Sequence, residues 1–259
     1  MQGVNSDRMW ERLATAVPGK LVESQKHYTI PAQVGKGIKL FTSDMTKGVF
    51  THPLMSGSGN SLIRGHKSET SNSKISFSGN NNILFFGANS RVNNADIRIT
   101  GSNCVFYFGA FSTVENMTVI LSGDGGKIVV GDYCMLSARI IIDRSDHHSI
   151  YDLETGAKIN DDSDVTISDH VWISRDVRIS KGATIGRDSI IGQASLVTGN
   201  LEGGNVYGGV PARCLRRGVT WSRMKSGSIS EMETSERHKK FIQSVEFIMC
   251  RSDLRLEIG

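Results

Sequence analysis

The stretch Ile167–Leu201 reads ISDHVW-ISRDVR-ISKGAT-IGRDSI-IGQASL-VTGNL, and it decides the fold. An aliphatic residue returns every six positions: Ile167, Ile173, Ile179, Ile185, Ile191 and Val197. A small residue follows each (Ser168, Ser174, Ser180, Gly186, Gly192, Thr198), and a second small or branched one comes four places after each of the first five (Val171, Val177, Ala183, Ser189, Ser195). An α-helix turns every 3.6 residues and cannot keep each sixth residue on one face. Three short strands per coil can, with one aliphatic side chain per strand stacked inward. Hexapeptide repeats of this kind mark a parallel β-helix.

Upstream, a second repeat has a period of 22 residues: GSGNSLIRG (57–65), GNNNILFFG (79–87), GSNCVFYFG (101–109) and GDGGKIVVG (123–131). Ser68, Ser90, Ser112 and Cys134 stand three places after the second glycine of each unit. Ile75/Phe77, Ile97/Ile99, Val119/Leu121 and Ile141/Asp143 follow later. Each unit reads as one wider coil, its four extra residues expected in the Gly/Asn corner, where left-handed backbone is tolerated. Asp143 is read as replacing an apolar residue in the last unit, and such a break in a repeat is where function tends to sit. The aromatic residues Phe85, Phe86, Phe106, Tyr107, Phe108 and Phe111 are expected mainly in the core.

The step is lost from Asp143 to Thr166, in DRSDHHSIYDLETGAKINDDSDVT, which carries the only histidine pair. A long polar loop interrupting a solenoid points to function. The predicted organisation is an N-terminal capping segment (1–50), a β-helix domain (51–213) with an extended loop (144–164), and a C-terminal tail (214–259). In the capping segment, Met9, Trp10, Leu13 and Val17 share a helical face. In the tail, Ser230 and Glu233 form a capping box that opens a helix over 230–249, and 254–258 alternates like a strand.

The chain has 259 residues, 38% hydrophobic, with 30 basic and 26 acidic residues and a net charge of +4. That mild excess suits an anionic cofactor or sugar and gives little support for nucleic acid. No apolar run approaches membrane-spanning length and the start lacks a basic-then-apolar leader, so a cytoplasmic protein is expected. Cys104, Cys134, Cys214 and Cys250 lack metal-ligand spacing, and no metal is expected.

Three clusters resemble the left-handed hexapeptide-repeat acyltransferases, most of all the bacterial capsule and lipopolysaccharide sugar O-acetyltransferases. Asp146-His147-His148-Ser149-Ile150 is similar to their Asp-x-His-x-Ile loop, Asp169-His170-Val171-Trp172-Ile173 to their Asp-x-Val-Trp-Ile coil, and Gly209-Val210-Pro211-Ala212-Arg213 to the turn that closes their β-helix. The resemblance is strong over 130–217 and fair over 57–130. It implies an all-β left-handed parallel β-helix that transfers an acetyl group from acetyl-CoA to a hydroxyl of a surface polysaccharide or its sugar precursor. His148, 24 residues before Trp172, aligns with the general base. Neutral imidazole suits proton abstraction near pH 7. Trp172 would sit against the donor, and Asp146 or Asp143 would hold the imidazole tautomer. His147, Asp143 and Tyr151 would face the acceptor. Ser174, Gly192, Ala194 and Ser195 would line the pantetheine groove, with Arg213 and Lys181, then Arg175, Arg216 and Arg217, toward its phosphates. The family is trimeric, with sites between subunits. Two positions depart from its pattern: Ser174 stands where glycine is usual, and Ser149 where proline is common. Alternatives are an acetyltransferase for a small molecule, an antibiotic or an amino sugar, and a non-catalytic hexapeptide-repeat scaffold.

Overall fold

The computed structural model describes residues 11–13, 15, 38–42, 45–48, 50–51 and 55–225. β1 (Ile38–Thr42), β2 (Phe50–Thr51) and β3 (Met55–Ser56) lead into three wide coils. These are β4 (Asn60–Arg64), β5 (Glu69–Ser71) and β6 (Ser73–Ser78); β7 (Ile83–Phe86), β8 (Arg91–Asn93) and β9 (Ala95–Thr100); and β10 (Val105–Phe108), β11 (Thr113–Val114) and β12 (Met117–Ser122). A transitional coil, β13 (Lys127–Val130), β14 (Met135–Leu136) and β15 (Ile140–Asp143), hands over to two narrow ones. Those are β16 (Val165–Ile167), β17 (Trp172–Ile173) and β18 (Arg178–Ile179), then β19 (Thr184–Ile185), β20 (Ile190–Ile191) and β21 (Leu196–Val197). β22 (Asn200–Leu201), β23 (Asn205–Gly208) and β24 (Arg213–Arg217) finish the described chain.

First, second and third strands of successive coils stack into faces A, B and C of a left-handed parallel β-helix; among the described strands only β24 runs antiparallel, against β23. Register explains the repeats. Phe86, Phe108, Val130, Ile167 and Ile185 stand in one column on face A. Val92, Val114, Leu136, Ile173 and Ile191 do so on face B, and Ile97, Val119, Ile142, Ile179 and Val197 on face C. All fifteen side chains are buried in one core. The period of six thus arises because each narrow strand sends one aliphatic side chain inward while its backbone bonds to the coils on either side.

The four extra residues of a wide coil are not chiefly a corner loop, which corrects the expectation from sequence. β6, β9 and β12 have six residues and β7 and β10 have four, against two in β18, β19 and β21. Faces A and C are therefore longer, and the larger cross-section is filled by Phe77, Phe86, Phe106 and Phe108. Buried polar ladders run along its corners. Asn82 Oδ1 accepts from Cys104 N at 2.9 Å while its Nδ2 donates to Gly101 O, and Asn60 repeats this one coil earlier. Ser112 Oγ donates to Gly131 O and accepts from Cys134 N. Inward polar groups in such a core must be paired in this way.

The wide coils also bury part of their outer surface. Phe85 and Tyr107 point outward from face A, stack at 5.0 Å between centroids, and are buried in one cluster with Ile63, Ile83, Val105 and Leu13. Residues 11–13 and 15 are helical, and Arg12 donates to Asn81 O at 2.8 Å. Met9, Trp10, Val17, the 230–249 helix and the 254–258 strand lie outside the described residues. Among those described, no helix is long and apolar enough to cross a membrane.

The transitional coil carries a second correction. Leu136 and Ile140 are four apart where Val114 and Met117 are three apart, so Val119 pairs with Ile142, and Asp143 pairs with outward-facing Ile120. Asp143 replaces no core residue. The residue that follows it inward, where the preceding coil has Leu121, is Arg144, only 9% exposed.

Candidate active site

The loop 144–164 connects face C to face A at the edge that holds the Asn60–Asn82–Cys104 ladder in the wide coils. Its first turn is built by short polar side chains. Asp143 Oδ1 accepts from Ser145 N at 3.0 Å, and Ser145 Oγ accepts from His147 N at 3.0 Å. His147 takes a left-handed backbone (φ 63°), and its Nε2 lies 2.9 Å from Asp143 Oδ2. Beyond it, 150–159 folds as a hairpin, with Ile159 N bonded to Ile150 O and a bridge from Tyr151 to Lys158. Asp152 caps its tip by accepting from Thr155 N and Oγ1 and from Glu154 N.

Two side chains fasten this loop. Asn160, 8% exposed, donates to His148 O at 2.7 Å and to Asp146 Oδ2 at 2.9 Å, and accepts from Ile150 N at 2.7 Å. Lys181, on the next coil, lies 2.5 Å from Asp146 Oδ2 and donates to Asp161 O. The bond to Lys181, then that to Asn160, hold the Asp146 carboxyl below its usual range. Asp146 is thus engaged at Oδ2 by an ammonium and an amide, and it fastens the loop. Of the two candidate tautomer holders, Asp143 faces a histidine, and that histidine is His147. The His148 imidazole is exposed and makes no hydrogen bond among the described residues.

The remaining candidates lie elsewhere on the prism. Trp172 points outward from face B, half-buried, in register with Met135 and Ile190. Its neighbour His170 puts Nδ1 2.6 Å from Asp188 Oδ1 at the edge between faces A and B. Ser174, Gly192, Ala194 and Ser195 share the edge between faces B and C. There Ser195 Oγ donates to Gly192 O at 2.6 Å and accepts from Gly209 N, while Ala212 N bonds Leu196 O, so the Gly-Val-Pro-Ala turn folds over this edge. Arg213 and Arg216 are exposed beside it, whereas Arg175 pairs with Asp176 and Arg217 with Glu202. Lys181 stands on the C/A edge, apart from the other residues expected at the phosphates. Tyr151 is exposed on the hairpin.

Faces B and C meet at one edge and A and B at another, so the C/A edge lies across the prism from face B. One chain thus presents the His147–His148 pair and Trp172 on opposite sides. Sequence reasoning missed Asn160, Arg144 and the loop-fixing role of Lys181. Asn160 sits in the polar run Asn160-Asp161-Asp162-Ser163-Asp164, which offers no signal. For Arg144 the signal was the register, which a miscount of one residue concealed.

No protein-family profile matches the chain. It is 33% identical over 122 residues to a polysialic acid O-acetyltransferase of Escherichia coli O1:K1 / APEC, covering 46% of this chain and 40% of that protein. It is 48% identical over 48 residues to one of Neisseria meningitidis, covering 18% and 22%. The matched part thus spans less than half the length of either relative. The crystal structure of the polySia-specific acetyltransferase NeuO superposes with a TM-score of 0.59 at 25% identity, covering 76% of this chain and 98% of that one. The polysialic acid O-acetyltransferase OatWY gives 0.61 at 24% identity, covering 76% and 96%, and bears on the fold alone. The chain has the left-handed β-helix of the hexapeptide-repeat acetyltransferases and shares sequence with the polysialic acid O-acetyltransferases among them.

Proposed function

We propose that this chain is an acetyl-CoA-dependent O-acetyltransferase acting on a hydroxyl of an acidic surface polysaccharide such as polysialic acid, with His148 as general base. The observation that carries the reading is the Asp-x-His-x-Ile segment, held by Asn160 and Lys181 with the His148 imidazole exposed, in a chain related in sequence to polysialic acid O-acetyltransferases. His148 takes the proton of the acceptor hydroxyl as its oxygen attacks the thioester carbonyl. The tetrahedral intermediate collapses with cleavage of the carbon–sulfur bond, and the imidazolium returns the proton to the departing thiolate. A preorganised donor is needed for the oxyanion, a role that suits the Trp172 indole N–H or a corner amide. The small residues Ser174, Gly192 and Ala194 leave room for the pantetheine arm, with Ser195 buried beneath the turn at the same edge, and exposed Arg213 and Arg216 suit its phosphates.

Because His148 and Trp172 lie on opposite sides of one prism, the site would be assembled between chains. A closed homotrimer supplies such a repeated head-to-tail contact. A second reading of the base is favoured by one distance: Asp143 Oδ2 stands 2.9 Å from His147 Nε2, which would orient that imidazole.

The test is thiol release from acetyl-CoA with polysialic acid, neutral glycans, sugar nucleotides and acetylatable drugs. His148→Ala is expected to lose about 10²–10⁴-fold in kcat with polysialic acid, and His147→Ala less. The reverse order would make His147 the base. Release with a drug alone would support the small-molecule reading. No release together with no acetyl-CoA binding would leave a scaffold.

A further inference from the structure

The mechanism just given uses nothing from Arg144, yet few side chains in the molecule are as elaborately housed. It occupies an inward position that an apolar residue, Leu121, fills one coil earlier. Its Nε donates to Asp164 Oδ1 at 2.8 Å, its Nη1 donates to Ser122 O at 2.7 Å, and Asp162 Oδ2 is 3.7 Å from Nη1. Its carbonyl accepts from Ser163 N at 3.2 Å. The preceding corner is cut away to admit it. A Cβ on Gly126 would lie 2.6 Å from Arg144 Nε, and one on Gly123 would lie 2.6 Å from Asp162 Oδ2 and 2.9 Å from Arg144 Nη1.

A guanidinium is a costly filler for a place that leucine satisfies, since its charge must be desolvated and then matched. Its partners say what it does. Arg144 is the first residue of the loop and Asp162 and Asp164 are near its end, so one planar cation ties the two ends together at the mouth of the core. Asp143, which faces His147, is its immediate neighbour in sequence, and His148 is four residues on.

We infer that Arg144 is a positioning residue for acetyl transfer: its clamp on Asp162 and Asp164 sets the loop's entry angle and so the placement of His147 and His148. The inference rests on the proposed activity for its catalytic consequence, but the clamp itself can be tested without turnover. The histidines must be held to a fraction of an ångström for proton transfer, and a displacement of about 1 Å costs about 10²-fold.

The experiment uses the full chain with three substitutions: Arg144→Leu, which restores the side chain of the preceding coil; Asp164→Asn; and Gly126→Ala, which presses on the guanidinium from outside the loop. Amide exchange over 145–163 is expected to speed up at least tenfold in all three, while the amides of β16 to β21 keep their protection. The ring-proton NMR chemical shifts of His147 are expected to move. In the transfer assay kcat should fall about 10–100-fold with KM for acetyl-CoA unchanged, and Arg144→Lys should recover part of it. Unchanged loop exchange and unmoved His147 ring-proton shifts would overturn the clamp even if the chain proved to have no transferase activity. Faster loop exchange with kcat intact would overturn the positioning role and leave a structural tie. Loss of protection throughout the coils in all three variants would also overturn it, making Arg144 a core residue only. A wild type that releases no thiol, with the exchange and NMR effects present, would sink the proposed activity and not the clamp.

Discussion

The wide coils of residues 60–122 and the narrow coils of 165–197 solve one problem in two ways. Both must fill a prism whose backbone is already bonded along its axis. The narrow coils do it with one aliphatic and one small side chain per strand. The wide coils lengthen faces A and C, fill the space with phenylalanine, and then have inward corner positions where a polar ladder replaces carbon. The difference shows where a solenoid can carry a site. Neither kind of coil carries the His147–His148 pair; it stands in the change-over between them, where the C/A edge is released from the ladder and lengthened into a loop.

The comparison breaks most readily at the core. Phe106→Ala should cost about 3–5 kcal/mol of stability in urea unfolding. If trimming Ile185 to Ala costs more, the wide coils do not depend on their aromatic filling. The ladder comes next. Asn82→Ala leaves Cys104 N and Gly101 O without a partner and should cost about 1–3 kcal/mol by the same measurement. A neutral result would mean that water replaces the amide.

The loop supplies the smallest effect. Asp146 is held below its usual carboxyl range by Lys181 and Asn160, so its contribution is complete above the ordinary carboxylate pKa of about 3.9 and is lost as pH falls through the lower folded value. Amide exchange at 145–163, corrected for its intrinsic pH dependence, should therefore rise below about pH 4 while β16 to β21 are unaffected. Lys181→Met should remove that pH dependence. A loop that keeps its protection at pH 3 would show that Arg144 suffices without Asp146.

Much of this fold can be read from spacing alone, because β-helix register turns a three-dimensional column into a fixed sequence interval. Ile167 to Val197 could hardly be misread, and the glycine pairs from Gly57 to Gly131 marked the wide coils. The slip before Ile140 escaped because Ile140-Ile141-Ile142 offers an apolar residue in either phase, while the added residue lies in the corner where Arg139 takes a left-handed backbone (φ 58°) and pairs with Asp176. The site was legible only as a motif. His148 and Trp172 stand out by type and spacing, but the bonds of Lys181 to Asp146 and of Arg144 to Asp164 join residues 35 and 20 apart across a loop with no period. Nothing local distinguishes those charges from solvated ones.

The last strand among the described residues has a bearing on how face B ends. A stack of parallel coils offers its terminal strands as a template for another copy, the geometry that grows fibres. On face B that template is already taken by β24, which runs in the opposite direction and is exposed along its whole length, with Arg213, Arg216 and Arg217 among its five residues. A parallel coil cannot continue in register on a reversed strand, and the exposed Arg213 and Arg216 repel a second copy of the same edge. The turn that folds over the edge of Ser195 therefore also ends in a strand that closes face B to a further parallel coil.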